Sequence, residues 1–357
     1  MTSAPTRSPV LRWVKRIALG LVGLILVAGI VGTIWEAVSW RSTLAQYPTP
    51  GKLVDIGGRK MSIDCRGTGS PTVIFEAGLD LGGEIGWSLV HDSVALNTRA
   101  CAYNRAGIVW SEPSPAPHNA GTVANDLHTL LTAAGEKGPY VLVGHSLGGP
   151  YIMSYTKRYG SDVAGLVFVD ASHPEQVGRM KAVVGRKLEA PGMGLMKLAA
   201  GLSWTGIVRA MSGNVKMAKV PNERVLALQA YLPRSLGQML MEMESLDAIF
   251  AEAGTFRTLG DRPVVVLTAM APMDSNTRKG MGITEETAKK FQAEWKTMHD
   301  EEASWSSRSR HELVPDATHY IQLDRPDVVI RAVREVIDSV RARTAAPAPA
   351  DSAEKRD

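Results

Sequence analysis

Apolar positions along this chain keep two different rhythms. From Leu53 onward, short apolar runs recur: Leu53-Val54-Asp55-Ile56, Lys60 to Cys65, Thr72-Val73-Ile74-Phe75, Ala100 to Tyr103, Tyr140-Val141-Leu142-Val143, Gly165 to Val169 and Pro263 to Leu267. Runs this short and this rich in β-branched residues suit parallel strands covered on both faces. The first two flank Gly57-Gly58-Arg59 and predict a hairpin. Between runs, Val123, Leu127, Leu130, Leu131 and Ala134 fall on one face of a helix. Strand alternating with helix predicts a doubly wound α/β sheet.

The rhythm breaks from His173 to about Thr258. No strand pattern occurs there, and eight of the 15 methionines do. Helical spacing returns at Leu226, Ala230 and Leu236 to Met243. A long insertion of adaptable apolar residues predicts a helical cap over residues 173–258. A packing layer remote from substrate is the plainer alternative. After Arg341 the chain turns to alanine, proline and charge, which predicts a disordered tail over 342–357.

Ahead of the α/β pattern, Ile17 to Trp35 is a run of 19 residues without a charge. As a helix it would span about 29 Å, the thickness of a bilayer's hydrocarbon core. Arg7, Arg12, Lys15 and Arg16 precede it and Glu36 follows. This charge order predicts a cytoplasmic basic segment (1–16), a transmembrane anchor (17–35), a linker (36–52) and an exported domain (53–341). A cleaved signal peptide is the alternative, with Thr43-Leu44-Ala45 as its cleavage site and a secreted product. Ala28 and Gly32 have the small-xxx-small spacing that lets helices approach closely.

Charge changes the picture once it is located. The net +4 equals the four basic residues before the apolar run, and the rest of the chain holds 36 basic and 36 acidic side chains. No basic stripe remains for phosphates, which excludes nucleic acid as a partner. Composition, at 45% hydrophobic and 21% charged, is that of a folded protein. Cys65 and Cys101 are too few for a disulfide scaffold, and no CxxC pair marks a zinc site. Nothing implies a cofactor: there is no phosphate loop and no dinucleotide fingerprint.

The most specific chemical signal is Val143-Gly144-His145-Ser146-Leu147-Gly148-Gly149. This G-x-S-x-G follows a buried strand and precedes a helix, the context a nucleophile elbow requires. Gly144 and Gly148 leave room for the sharp turn, and the helix N-terminus favours negative charge near Ser146. With this motif in this context, residues 53–341 resemble the α/β-hydrolase superfamily, in particular esterase- and lipase-like serine hydrolases with a helical cap after the sixth strand. The resemblance implies a mostly parallel eight-stranded sheet with helices on both faces. It also makes the strands of Cys65 and Cys101 neighbours, so that a disulfide between them becomes possible in an exported domain.

A serine hydroxyl needs a base, and the base needs a carboxylate. The resemblance points to His319, in Asp316-Ala317-Thr318-His319-Tyr320 after the last strand-like run. It leaves two acids: Asp170 at the end of the sixth strand, and the alternative Asp274 after the seventh. Backbone N–H groups of Leu79 and Leu147 are the expected oxyanion donors. The histidine that often precedes the glycine of the first oxyanion loop is absent, since the loop reads Glu76-Ala77-Gly78-Leu79. His145 is expected to pack, and Asn104-Arg105-Ala106-Gly107 to play a structural part. The expected function is a membrane-anchored serine hydrolase cleaving apolar carboxylic esters through an acyl-enzyme. The alternatives are an acyltransferase with the same triad and a hydrolase-fold ligand-binding protein with little turnover.

Overall fold

Residues of opposite parity on the central strands enter two different cores. The strands are β1 (Lys52–Asp55), β2 (Lys60–Arg66), β3 (Thr72–Glu76), β4 (Ala100–Tyr103), β5 (Tyr140–His145), β6 (Val163–Val169), β7 (Gly260–Ala269) and β8 (Ser306–Val314). The helices that lead into and cover them are α1 (Pro9–Gln46), α2 (His91–Ala95), α3 (Ala120–Ala134) and α4 (Gly148–Tyr159). After β6 come α5 (Gln176–Val184), α6 (Met193–Gly201), α7 (Ile207–Ser212), α8 (Asn222–Glu244) and α9 (Leu246–Ala253). The remaining helices are α10 (Ser275–Met281), α11 (Glu285–Ser304), α12 (Ile321–Asp324) and α13 (Pro326–Ala345). The structure, a computed structural model, describes residues 9–115, 118–188, 192–217 and 219–345.

One core forms where Val73, Phe75, Val141, Val143, Val167 and Val169 meet α13 and α2. The other forms where Ile74, Leu142, Leu166 and Phe168 meet α3 and α4. This period of two on strands covered from both sides is why the runs read as continuously apolar. Asn119 starts α3 by accepting from Thr122 N–H at 2.8 Å, and Gly135 ends it in the left-handed conformation (φ 79°).

The strand order is β1-β2-β4-β3-β5-β6-β7-β8. β1 and β2 pair antiparallel, as do β2 and β4, and the rest of the sheet is parallel. Cys65 and Cys101 are register partners on β2 and β4 and are joined by a disulfide. Because the chain leaves β3 toward β4 and later continues from β5 the opposite way, a crevice opens beyond the carboxyl ends of β3 and β5. Open α/β sheets bind ligands at such switch points.

Two expectations are corrected at the edges. The linker assigned to 36–52 is helical as far as Gln46, because no glycine or proline interrupts the chain from Glu36 to Gln46. Glu36 also anchors that stretch, accepting two hydrogen bonds from Arg209 of α7 at 2.7 Å each. The basic segment is helical from Pro9, and its residues 1–8 lie outside the described residues. The C-terminal helix runs on to Ala345, carried by a stripe from Val328 to Val340, so a tail beginning at 342 starts too early. Residues 346–357 of that tail lie outside the described residues.

Candidate active site

Ser146 occupies the turn between β5 and α4 with φ 51°, a left-handed conformation that side chains other than glycine rarely adopt. The turn is held by crowding on both sides. A Cβ on Gly144 would lie 2.7 Å from Gly148 O, and one on Gly148 would lie 2.6 Å from Glu76 O. From the far side the β3 loop closes in, where a Cβ on Gly78 would lie 3.0 Å from Ser146 Cβ. The serine therefore stands at the crevice, half-buried, with the Gly78-Leu79 backbone beside it.

His319, on the loop after β8, donates from Nδ1 to Asp170 Oδ2 at 2.7 Å. A carboxylate only accepts, so the proton sits on Nδ1 and Nε2 is left unprotonated. Asp170 Oδ1 accepts from the Ala269 N–H at 2.8 Å and from Trp295 Nε1–H at 3.0 Å. Burial alone would raise the Asp170 carboxyl. The hydrogen bond and charge of His319, with help from His299 and the Ala269 N–H, instead hold it below the ordinary carboxylate value. Asp170 is also left-handed, at φ 43°, so the end of β6 spends strain to aim this side chain. Asp274 does something else: it caps α10, accepting from Asn276 and Thr277 N–H at 2.8 and 3.1 Å. Ser146 Oγ makes no hydrogen bond to the His319 ring in this resting geometry; nucleophile–base bonds commonly tighten only once substrate is bound.

Three residues outside the expected set shape this geometry. His145, expected to pack, donates from Nε2 to the His319 carbonyl at 2.9 Å and so ties the loop after β8 to the end of β5. Burial, with the His319 charge adding to it, pushes His145 down to about 3, so it stays neutral in this role. Trp295 comes from α11, in a segment between β7 and β8 for which the sequence suggested no element. Arg105, assigned no chemistry from sequence, is fully enclosed.

Arg105 supports the loop after β3, where the expected histidine is missing. Nη1 donates to Glu76 Oε1 and Ala77 O at 2.7 Å each, and Nη2 to Gly78 O at 2.6 Å and Glu242 Oε2 at 2.9 Å. Nε donates to Glu242 Oε1 at 2.8 Å, so every guanidinium N–H is used. Two consecutive carbonyls are thereby turned toward Arg105, away from the crevice. The next N–H, that of Leu79, and the N–H of Leu147 donate to no group among the described residues. Two unpaired backbone donors beside an elbow serine are what an oxyanion needs.

A cleft of about 540 Å³ opens beside the Asp170–His319 pair, with Met273, Phe291 and Trp295 as its apolar wall and Thr277 and Gln292 as polar points. Its lining comes from the β7–β8 segment and the His319 loop rather than from the cap at 173–258.

A model of the alpha/beta hydrolase family matches residues 24–332. Among curated proteins, an uncharacterized protein of Schizosaccharomyces pombe is 33% identical over 135 residues, covering 38% of this chain and 24% of that protein. YbdG of Bacillus subtilis, also uncharacterized, is 24% identical over 183 residues, covering 51% of this chain and 56% of YbdG. The chain thus aligns with about a quarter of the first relative and just over half of the second. Among solved structures, a thermophilic esterase from Thermogutta terrifontis superposes with a TM-score of 0.52 at 19% identity, covering 83% of this chain and 97% of the esterase. At that identity the likeness is one of fold.

Proposed function

Because this chain belongs to the alpha/beta hydrolase family, we propose that it is a membrane-anchored serine hydrolase cleaving carboxylic esters, with Ser146 as nucleophile, His319 as base and Asp170 as the acid. The observation that carries this reading is the His319–Asp170 hydrogen bond of 2.7 Å, made next to a serine held at φ 51°. His319 Nε2 takes the Ser146 proton as Oγ attacks the ester carbonyl, and the Leu79 and Leu147 N–H groups receive the oxyanion. The tetrahedral intermediate expels the alcohol, which takes the proton from His319. Water, deprotonated by the same nitrogen, then releases the acid. Asp170 stays ionised throughout and stabilises the imidazolium.

The apolar wall of Met273, Phe291 and Trp295 supports an apolar ester as substrate. The anchor reading rests on α1, whose Val10–Gln46 stretch has a mean hydropathy of 2.6 in its most apolar window and is long enough to cross a bilayer. With the basic cluster ahead of it, the catalytic domain lies on the extracytoplasmic side. The Thr43-Leu44-Ala45 sequence lies inside α1, with Thr43 buried and accepting from Arg209 at 3.3 Å, which supports an uncleaved anchor.

The test is hydrolysis of p-nitrophenyl acyl esters of increasing chain length by the full chain in detergent, beside Ser146→Ala. Turnover that disappears in the variant is the expected result. Equal rates from both folded proteins would reject the triad.

A further inference from the structure

Between Met193 and Ser212 the chain carries two charges, and both are paired: Lys197 with Glu244 and Arg209 with Glu36, each at 2.7 Å. α6, at the start of this stretch, has no fully buried residue. On one side Met193 and Met196 pack onto the cap cluster around Leu236 and Met239. On the other, Leu195 and Leu198 remain 69% and 58% exposed, and Trp204, Ile207 and Met211 continue the same apolar surface at 56%, 45% and 58%. A surface helix in water puts charge on its outer face; this one puts leucine there.

The contact with α1 says what covers that surface. The turn Ser203–Thr205 and Gly206 after it pack closely against α1. A Cβ on Gly32 would lie 2.2 Å from Thr205 O, and one on Gly206 would lie 2.6 Å from Trp35 Cε3. Gly32, whose small-residue spacing suggested helix pairing, is thus taken by the cap. It also lies inside the uncharged run, four residues before Glu36, which is about 6 Å along the helix axis. Surfaces that lie in a bilayer interface sink about 5–10 Å into the headgroup and acyl boundary. With α1 crossing the bilayer, its register carries Trp204 and α6 to that depth.

We propose that α6, the Ser203–Thr205 turn and α7 form a second membrane-embedded surface beside the anchor, with the acyl layer of the bilayer as partner. This rests on reading α1 as transmembrane. Leu79, the expected oxyanion residue, packs into the same cluster as Met193 and Met196. One continuous apolar cluster therefore borders both α6 and the oxyanion loop, and esters dissolved in the acyl layer are the substrates this arrangement admits.

The two native cysteines are bonded to each other, so an introduced cysteine can be labelled selectively. The full chain would be reconstituted in phosphatidylcholine–phosphatidylglycerol vesicles with a fluorophore at Leu198→Cys, Ile25→Cys or Leu96→Cys, and quenched by nitroxides attached to the lipid acyl chains. Leu96 precedes β4, at the end of the sheet away from the cap, and is 84% exposed. The expected result is strong quenching at positions 25 and 198 and none at 96. Quenching at 25 without 198 overturns the embedded cap while leaving the anchor intact. Quenching at neither removes the anchor reading and this inference with it. A paired readout uses Leu195→Asp/Leu198→Asp: turnover of a long-chain ester carried in vesicles falls, and turnover of a water-soluble acetate ester is kept. Equal loss on both substrates, or loss on neither, overturns the route from lipid.

Discussion

The two sides of the crevice meet at Leu79 and are held by different forces. On the body side, position comes from hydrogen bonds: Asp170 accepts from His319, Ala269 and Trp295, and Arg105 spends every N–H on the loop after β3 and on Glu242. On the cap side, Val208, Leu232, Leu236, Met239 and Leu240 form a cluster of apolar contacts, with α6 lying half-exposed across it. Directional bonds fix atoms to fractions of an ångström, as the proposed chemistry requires. Apolar contacts fix only volume, which leaves a cap free to adapt to substrate or to lipid. Arg105–Glu242 is a directional tie between the two sides, joining the loop after β4 to α8.

Breaking the body side produces the largest effects. Asp170→Asn should lower kcat on a short ester by about 10⁴-fold, because an amide presents its NH₂ to Nδ1 and favours the wrong tautomer. Unchanged circular dichroism would separate this from misfolding, and a loss under tenfold would point to another acid. Next comes Arg105→Met, which leaves Glu76 and Glu242 buried without their cation. Removing one partner of a buried pair costs about 3–5 kcal/mol, readable as a lower denaturation midpoint. Glu242→Gln keeps an acceptor for Arg105 and should cost less. If both variants denature like the wild type, the tie between body and cap is not structural.

The acid side of the stability profile tests the same region. His145 is held neutral in the fold down to about 3, against an ordinary value of 6.5. Below pH 6.5 the unfolded chain takes up a proton at His145 that the folded chain refuses. Its contribution is therefore full above 6.5 and is lost as pH falls toward 3, by a few kcal/mol in all. His145→Gln should flatten that part of the curve. The slope will not vanish, since buried His173 and His299 are also pushed down, His173 to about 4. An unchanged slope would mean that His145 titrates as if exposed.

What the sequence made legible follows from these forces. β3, β5 and β6 show as apolar runs because both faces of each are covered, and the elbow shows because steric crowding admits only glycine around Ser146. β8 was visible only at its end. Residues 306–312, Ser-Ser-Arg-Ser-Arg-His-Glu, are polar because this is an edge strand, paired on one side alone. α11 was missed for a similar reason: over Glu285–Ser304 it buries only Ala288, Met298, His299 and Glu302. Arg105 and Glu242 are 137 positions apart, and no local pattern joins them. Both aspartates were candidates through the family resemblance, but only folded geometry sets Asp170 against His319 and Asp274 against the start of α10.

That pair of aspartates, with Trp295, gives the smallest and most discriminating prediction. Trp295→Phe removes one of the two donors to Asp170 Oδ1 and keeps the ring that packs beside His299 and His319. A hydrogen bond to a charged acceptor contributes about 1.5–3 kcal/mol, and the Ala269 N–H still holds the same oxygen, so the loss belongs at the low end. Weaker support for the carboxylate leaves the imidazolium less stabilised in the transition state, so kcat should fall by roughly tenfold with KM little changed. Asp274→Asn is its counterpart: the amide oxygen can still cap α10, and the side chain reaches no part of the His319–Asp170 pair. Its kcat should match the wild type. If the order is reversed, with Asp274→Asn impaired and Trp295→Phe normal, the acid lies after β7 and the strained end of β6 serves the fold rather than the chemistry.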